Sequence, residues 1–213
     1  MKHIAPLLAA IAIAIPSLAK AQARLLPVDQ AATVPDFFSF RAQLQVAVAK
    51  RDLKVILAAM SKDVKLSFGG DDGVSEFGNV WKPESPDTKL WEVLAGVLAL
   101  GGTFDAQGAF TAPYVFTRWP QDKDSFSHMA AIGTGVRVRT APNAAASAIA
   151  SLDFSLVEVS EDAPSDEMWV QVKVGPGRVG YVDRRYLRSP IDYRIRFVKQ
   201  EGKWQAVFFL AGD

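Results

Sequence analysis

Short runs that alternate between apolar and polar residues fill the chain from Val136 to Arg188. Val136-Arg-Val-Arg-Thr-Ala-Pro comes first, followed by the run 149–159. Trp169-Val-Gln-Val-Lys comes next, then Gly177-Arg-Val-Gly-Tyr-Val-Asp-Arg-Arg-Tyr-Leu-Arg, with turn formers between the runs. A two-residue period sends successive side chains to opposite faces, so each run predicts a short strand. Several short strands at such spacing predict a small β-barrel over 129–188.

The period changes on either side. Phe37, Phe40, Leu44 and Val48 fall three and four residues apart, which predicts a helix starting at Asp36. Arg51-Asp52 interrupts it, and a second short helix turns Leu53, Ile56, Leu57 and Met60 inward. Residues 64–68 alternate as a strand, and Gly69-Gly-Asp-Asp-Gly73 reads as a loop. Ser85-Pro86-Asp87 predicts a helix start carrying the apolar face Leu90, Trp91, Leu94, Val97 and Leu98, with Gly101-Gly102 as its stop. Residues 110–119, aromatic and broken by Pro113, are expected to run as an irregular extended segment. At the far end, 193–198 and 204–210 alternate about Glu201-Gly202, a hairpin pattern. A lone hairpin is marginal in water, so it must dock. The expected dock is the N-terminal helices, which offer too few strands of their own. The fold class predicted is therefore α+β: a domain over 36–125 completed by 191–213, with the barrel of 129–188 inserted in or appended to it.

Composition adds compartment. Lys2 and His3, an apolar run to Ile15, Pro16, and small residues ending at Ala23 form the pattern of a cleaved signal peptide over 1–23, with 24–35 as a linker. About twelve apolar residues are too few to span a bilayer of ~30 Å. No cysteine occurs, so there is neither a lipobox, nor a disulfide, nor a thiol nucleophile. Without residues 1–23 the chain holds 22 basic and 23 acidic side chains, leaving no basic excess for nucleic acid. The mature product is expected to be periplasmic or secreted, without stable membrane insertion.

From about Met129 to Arg188 the chain resembles the bacterial SH3 (SH3b) family. The residues that carry the likeness are Val136-Arg137-Val138-Arg139-Thr140-Ala141-Pro142, the small-polar loop from Asn143 to Ser147, Trp169-Val-Gln-Val-Lys, and Gly180-Tyr181-Val182 followed by Tyr186-Leu187. The resemblance implies a five- or six-stranded barrel with a binding role towards peptidoglycan or peptides. The chain carries a single copy and lacks the peptidase or amidase domain that often accompanies such modules. The flanking regions resemble, more loosely, an NTF2-like layout of helices first and strands last.

The candidate ligand-binding residues are Trp169, Tyr181, Tyr186, Arg137 and Arg139. An aromatic at a groove stacks on sugars or peptide prolines, whereas the same Trp169 in a strand fills a core. Arg137 and Arg139 share one face and, with Arg184, Arg185 and Arg188, could orient an anionic ligand; the other reading is a solvated strand face with Asp183 and Asp192 as local partners. Asp71-Asp72 in a glycine loop could ligate Ca²⁺ but lacks the EF-hand spacing, so it reads as a turn. Asp122 and Asp124 read the same way. His128 has no second histidine or cysteine for a metal, and no G-x-S-x-G accompanies it. No cofactor is expected. The expected function is non-catalytic recognition of peptidoglycan or an envelope-protein peptide. The alternatives are a wall hydrolase using Glu76 with Glu84 or Glu92, or a barrel packed only against its own chain.

Overall fold

The computed structural model describes residues 23–70, 72–160 and 168–212. The expected signal peptide lies outside them, as does Asp71. The fold is mixed α+β, mostly strands with a few helices.

Helix α1 (Pro35–Lys50) starts with proline in its first turn and ends at Arg51, whose left-handed φ of 54° breaks the helix. Asp52 then caps α2 (Leu53–Ala58) by accepting the Val55 N–H at 3.2 Å. Strand β1 (Met60–Lys65) follows directly, so it begins at Met60, earlier than the alternation at 64–68 suggests. It ends where the Asp72 carboxylate captures the Leu66 N–H at 3.1 Å. Helix α3 (Val74–Trp81) buries Phe77 and Trp81. The expected helix start at Ser85 is a turn instead. Lys89 stands at the N-cap, the Thr88 hydroxyl before it accepts the Leu90 N–H at 3.3 Å, and α4 (Leu90–Ala99) runs from there. Strand β2 (Thr103–Phe104) follows α4, and β3 (Phe110–Ala112), a cis Pro113 and the short α5 (Tyr114–Thr117) occupy most of the stretch 110–119 expected to be irregular.

The C-terminal hairpin joins β11 (Arg194–Gln200) to β12 (Lys203–Leu210) through Glu201 and Gly202, both at positive φ. β12 pairs in parallel with β1, and β11 pairs antiparallel with β3. The five-stranded order is β1-β12-β11-β3-β2. Ile195, Phe197, Ala206 and Phe209 face the helices and bury against Phe37, Leu44, Leu94 and Leu98.

Between these halves lie β4 (His128–Ala131), β5 (Val136–Arg139), β6 (Ala148–Leu152), β7 (Leu156–Glu158), β8 (Trp169–Gly175), β9 (Arg178–Asp183), a 3₁₀ turn (Arg184–Tyr186) and β10 (Leu187–Arg188). The expected single closed barrel is corrected here to two open sheets, β10-β4-β7 and β6-β5-β9-β8. The reason lies in pairing: β4 takes β7 and β10 as its partners, and among the described residues the backbone pairing that links the two sheets past β7 and β8 is the single bridge Val159–Val172. Their shared core is built from Met129, Val136, Val138, Leu152, Val172 and Val182. Gly180 is required there, because a Cβ would stand 2.5 Å from Val138 Cγ1. Among the described residues no helix is long and apolar enough to cross a membrane.

Candidate ligand-recognition face

Alternation divides the four-stranded sheet. Val136 and Val138 turn into the core, and Arg137 and Arg139 point the other way. Arg139 lies opposite Tyr181 of β9, and Tyr181 lies opposite Gln171 of β8. These three side chains therefore form a row across three strands. Gln171 Nε2 donates to the Tyr181 hydroxyl at 3.0 Å, and that hydroxyl keeps its own proton for a ligand. Arg139 Nη1 donates to the Ala146 carbonyl at 2.7 Å, fixing the guanidinium against the 140–147 loop. Arg137 stands opposite Ser151 and is exposed.

The arginines differ in what they are bound to. Arg185 clamps Asp183, with Nη2 at 2.7 Å and Nε at 3.0 Å, and that hydrogen bonding holds the Asp183 carboxyl below the usual carboxylate range. Arg184 lies 3.5 Å from Asp192. Arg188 is largely buried, with Nη2 donating to the Tyr193 carbonyl at 2.5 Å, and burial pulls its pKa down. These three are committed to their own chain. Arg137 and Arg139 have no acid within ion-pair distance among the described residues.

The aromatic candidates separate too. Tyr181 sits within the row. Tyr186 is 49% exposed on the 3₁₀ turn, with the Arg185 guanidinium 6.0 Å from its ring centroid. Trp169 shares the strand face of Gln171 but is only 8% exposed, so its ring is packed away, not displayed. Gln171 was missed from sequence. The pattern Trp169-Val-Gln-Val-Lys placed it on the same face as Trp169, but only the β8–β9 register brings it to Tyr181.

Away from this face, a concavity of about 210 Å³ opens between α1, α2 and β12, lined by Phe40, Val55 and Trp204 with Gln43, Lys203 and Gln205. Asp36 holds this indole in place, accepting from Trp204 Nε1 at 3.2 Å and from Lys199.

The carboxylates of the hydrolase alternative lie on the helical side. Glu76 accepts from Asn79 at 2.9 Å, Glu92 sits 3.9 Å from Lys89, and Glu84 is exposed on the turn between α3 and α4. Asp72 is tied to Leu66 and Lys65, Asp124 accepts the Phe126 N–H, and Asp122 faces Lys123. His128 Nδ1 lies 3.0 Å from the Ser127 hydroxyl. Among the described residues no three His, Asp or Glu side chains stand together to hold a metal ion. No family model, no curated protein and no solved structure matches this chain.

Proposed function

We propose that this chain is an exported, non-catalytic recognition protein of the bacterial envelope, and that residues 129–188 act as an SH3b-like module for carboxylate-bearing peptides. The observation that carries this reading is a sheet face with two arginines, Arg137 and Arg139, that have no acid within ion-pair distance among the described residues, beside the hydrogen-bonded pair Tyr181–Gln171. A guanidinium already anchored at one nitrogen loses little freedom when its remaining N–H groups meet a carboxylate. The ordered run of alternating strands, Gly180-Tyr181-Val182 and the turn before Leu187 support the family likeness. Tyr181, Arg137 and Arg139 form the contact surface in this reading, Tyr186 an outlying aromatic, and Trp169 a packed support.

Peptidoglycan stem peptides and acidic segments of envelope proteins share this chemistry, and a binding experiment separates them. The exported chain, from residue 24, is mixed with insoluble peptidoglycan and, separately, with soluble acidic peptide at low and moderate salt. Retention on the wall material, lost in Arg137→Ala/Arg139→Ala, supports the wall as the source of ligand. Binding to peptide alone, lost in the same variant, supports a protein partner. Binding to neither, or binding that the double variant leaves unchanged, overturns the reading. Turnover of wall material abolished by Glu76, Glu84 or Glu92 substitutions would replace it with the hydrolase.

A further inference from the structure

The three sheets present six edges, and most are guarded in recognisable ways. β1 carries Lys62, Asp63 and Lys65. β2 and β10 are two residues long. β7 is met by the chain's own residues 23–25: Leu156 N–H donates to Ala23 O at 2.7 Å, and Arg24 bridges Ser155. β8 is met by Val159, which bridges Val172, and by Ser160, whose N–H donates to Gln171 O at 2.9 Å. β6 differs from all of these. Its residues, Ala-Ile-Ala-Ser-Leu, include no charge and no proline, and among the described residues no strand pairs with its outer side.

The side chains around this edge point to what would pair there. On the outer face β6 shows only the small residues Ser151 and Ala148, which lie opposite Arg137 and Arg139. Small side chains therefore leave room for Arg137 to lean across β6, while Arg139 is held at the Ala146 carbonyl just before the strand, with its other N–H groups available. An added strand would lie about 10 Å from β5, two strand spacings away, within reach of an arginine and a glutamate that extend towards each other. Ile149 and Ala150 pack inward against the core, so the inner side of an added strand would meet apolar surface.

We propose that β6 is a docking edge, on which a partner's extended acidic peptide adds as a fifth strand of this sheet, its carboxylates facing Arg137 and Arg139 and its alternate apolar residues facing Ile149. This inference rests on the recognition reading above and specifies how the ligand lies. Main-chain hydrogen bonds to the outward N–H and C=O groups of β6 supply affinity, because alternate residues of an edge strand direct both groups away from its neighbour. The arginines supply the preference for acids and make binding weaken with salt.

The test uses the exported chain, labelled for amide NMR, and a short capped peptide of alternating valine and glutamate. Amide shifts centred on 148–152 are expected, with the lysine counterpart binding much more weakly. N-methylating the peptide amides that face β6 should cost about tenfold or more in affinity, since two or three hydrogen bonds are removed. N-methylating the other alternate set should cost little. Equal binding by both N-methylated series, or shifts centred on Trp169 and Tyr186, overturns strand addition. If Arg137→Ala/Arg139→Ala still abolishes that binding, the recognition face stands and only the edge fails. If the double variant binds unchanged, both fall.

Discussion

The two halves of this molecule use their aromatic residues in opposite ways. In the helix-backed sheet the rings are the core: Phe37 lies 4.4 Å from Phe110, 4.8 Å from Trp204 and 5.6 Å from Phe197, centroid to centroid. The core shared by the two sheets from β4 to β10 holds Val, Ala, Leu and Met without an aromatic ring among the described residues, while Ala130 and Leu156 pack on their other side against Tyr114 of α5. Tyr181 and Tyr186 stay on its outside, and Trp169 packs apart from it. Five strands backed by four helices enclose enough volume to bury rings. Two small open sheets facing each other do not, and their tyrosines Tyr181 and Tyr186 stay outside the shared core. The comparison separates a half built for burial from a half that displays a face.

Core truncation sharpens that contrast most. Phe37→Ala should cost about 3–5 kcal/mol, since it removes the ring at the centre of the aromatic cluster. Val172→Ala, equally buried, should cost roughly 2 kcal/mol, because it removes only two methyl groups. Chemical denaturation of both variants measures the difference. A Val172→Ala cost equal to that of Phe37→Ala would break the contrast by making the smaller core as decisive as the larger.

Acid comes next, through the reach of the ion pairs. Burial alone raises Asp29, but the hydrogen bonds from Arg41, at 2.8 and 2.7 Å, help hold its carboxyl below the ordinary 3.8. Asp105 is similar: burial opposes ionisation, while Arg196 and the Ala109 and Gln107 N–H groups outweigh it. A carboxyl with a lowered folded pKa stabilises fully above its unfolded value and loses that contribution as pH falls through the folded value. Arg196 reaches Asp105 across 91 residues and Arg41 reaches Asp29 across 12, so the unfolded chain forms these contacts far less readily. Asp183 and Arg185 are two residues apart and can meet in the unfolded chain too, which shrinks the difference between states. Below about pH 3.8 the helix-backed half should therefore lose hydrogen-exchange protection first, with Asp105→Asn removing part of the dependence. Earlier loss of protection at β8 and β9 would reverse the assignment.

The sequence exposed these two halves unequally. The hairpin at Glu201-Gly202 was legible because alternation and turn chemistry agree on it. Ser85-Pro86-Asp87 misled because the same residues favour a turn: the Ser85 hydroxyl accepts the Asp87 N–H at 3.3 Å, and the helix begins only at Leu90. α3 left little trace, since Gly78 and only two buried residues blur its period. At the candidate face, alternation put Arg137 and Arg139 together on one strand. Which strand comes next is a matter of register, so the row Arg139–Tyr181–Gln171 and the lone edge of β6 could not be read from it. Nor does alternation reveal what covers a face, which is why Trp169 offered two readings.

The smallest expected effect tests whether the displayed face contributes to folding at all. Arg137 is exposed and makes no ion pair among the described residues, and the Arg139 side chain reaches only the Ala146 carbonyl. Surface substitutions of this kind usually change stability by no more than about 0.5 kcal/mol. Arg137→Ala/Arg139→Ala should therefore leave the denaturation midpoint nearly unchanged while weakening capture of acidic peptide. Loss of the Arg139 hydrogen bond should loosen only the 140–147 loop, visible as faster amide exchange at Ala146 and Ser147. If the variant instead unfolds with Val172→Ala-like cost, the arginines brace the sheet from outside and the face is structural. With the midpoint preserved and binding lost, the two cations serve the ligand, and the fold rests on the valine core and on the packing of Ala130 and Leu156 against Leu25, Tyr114 and Val115.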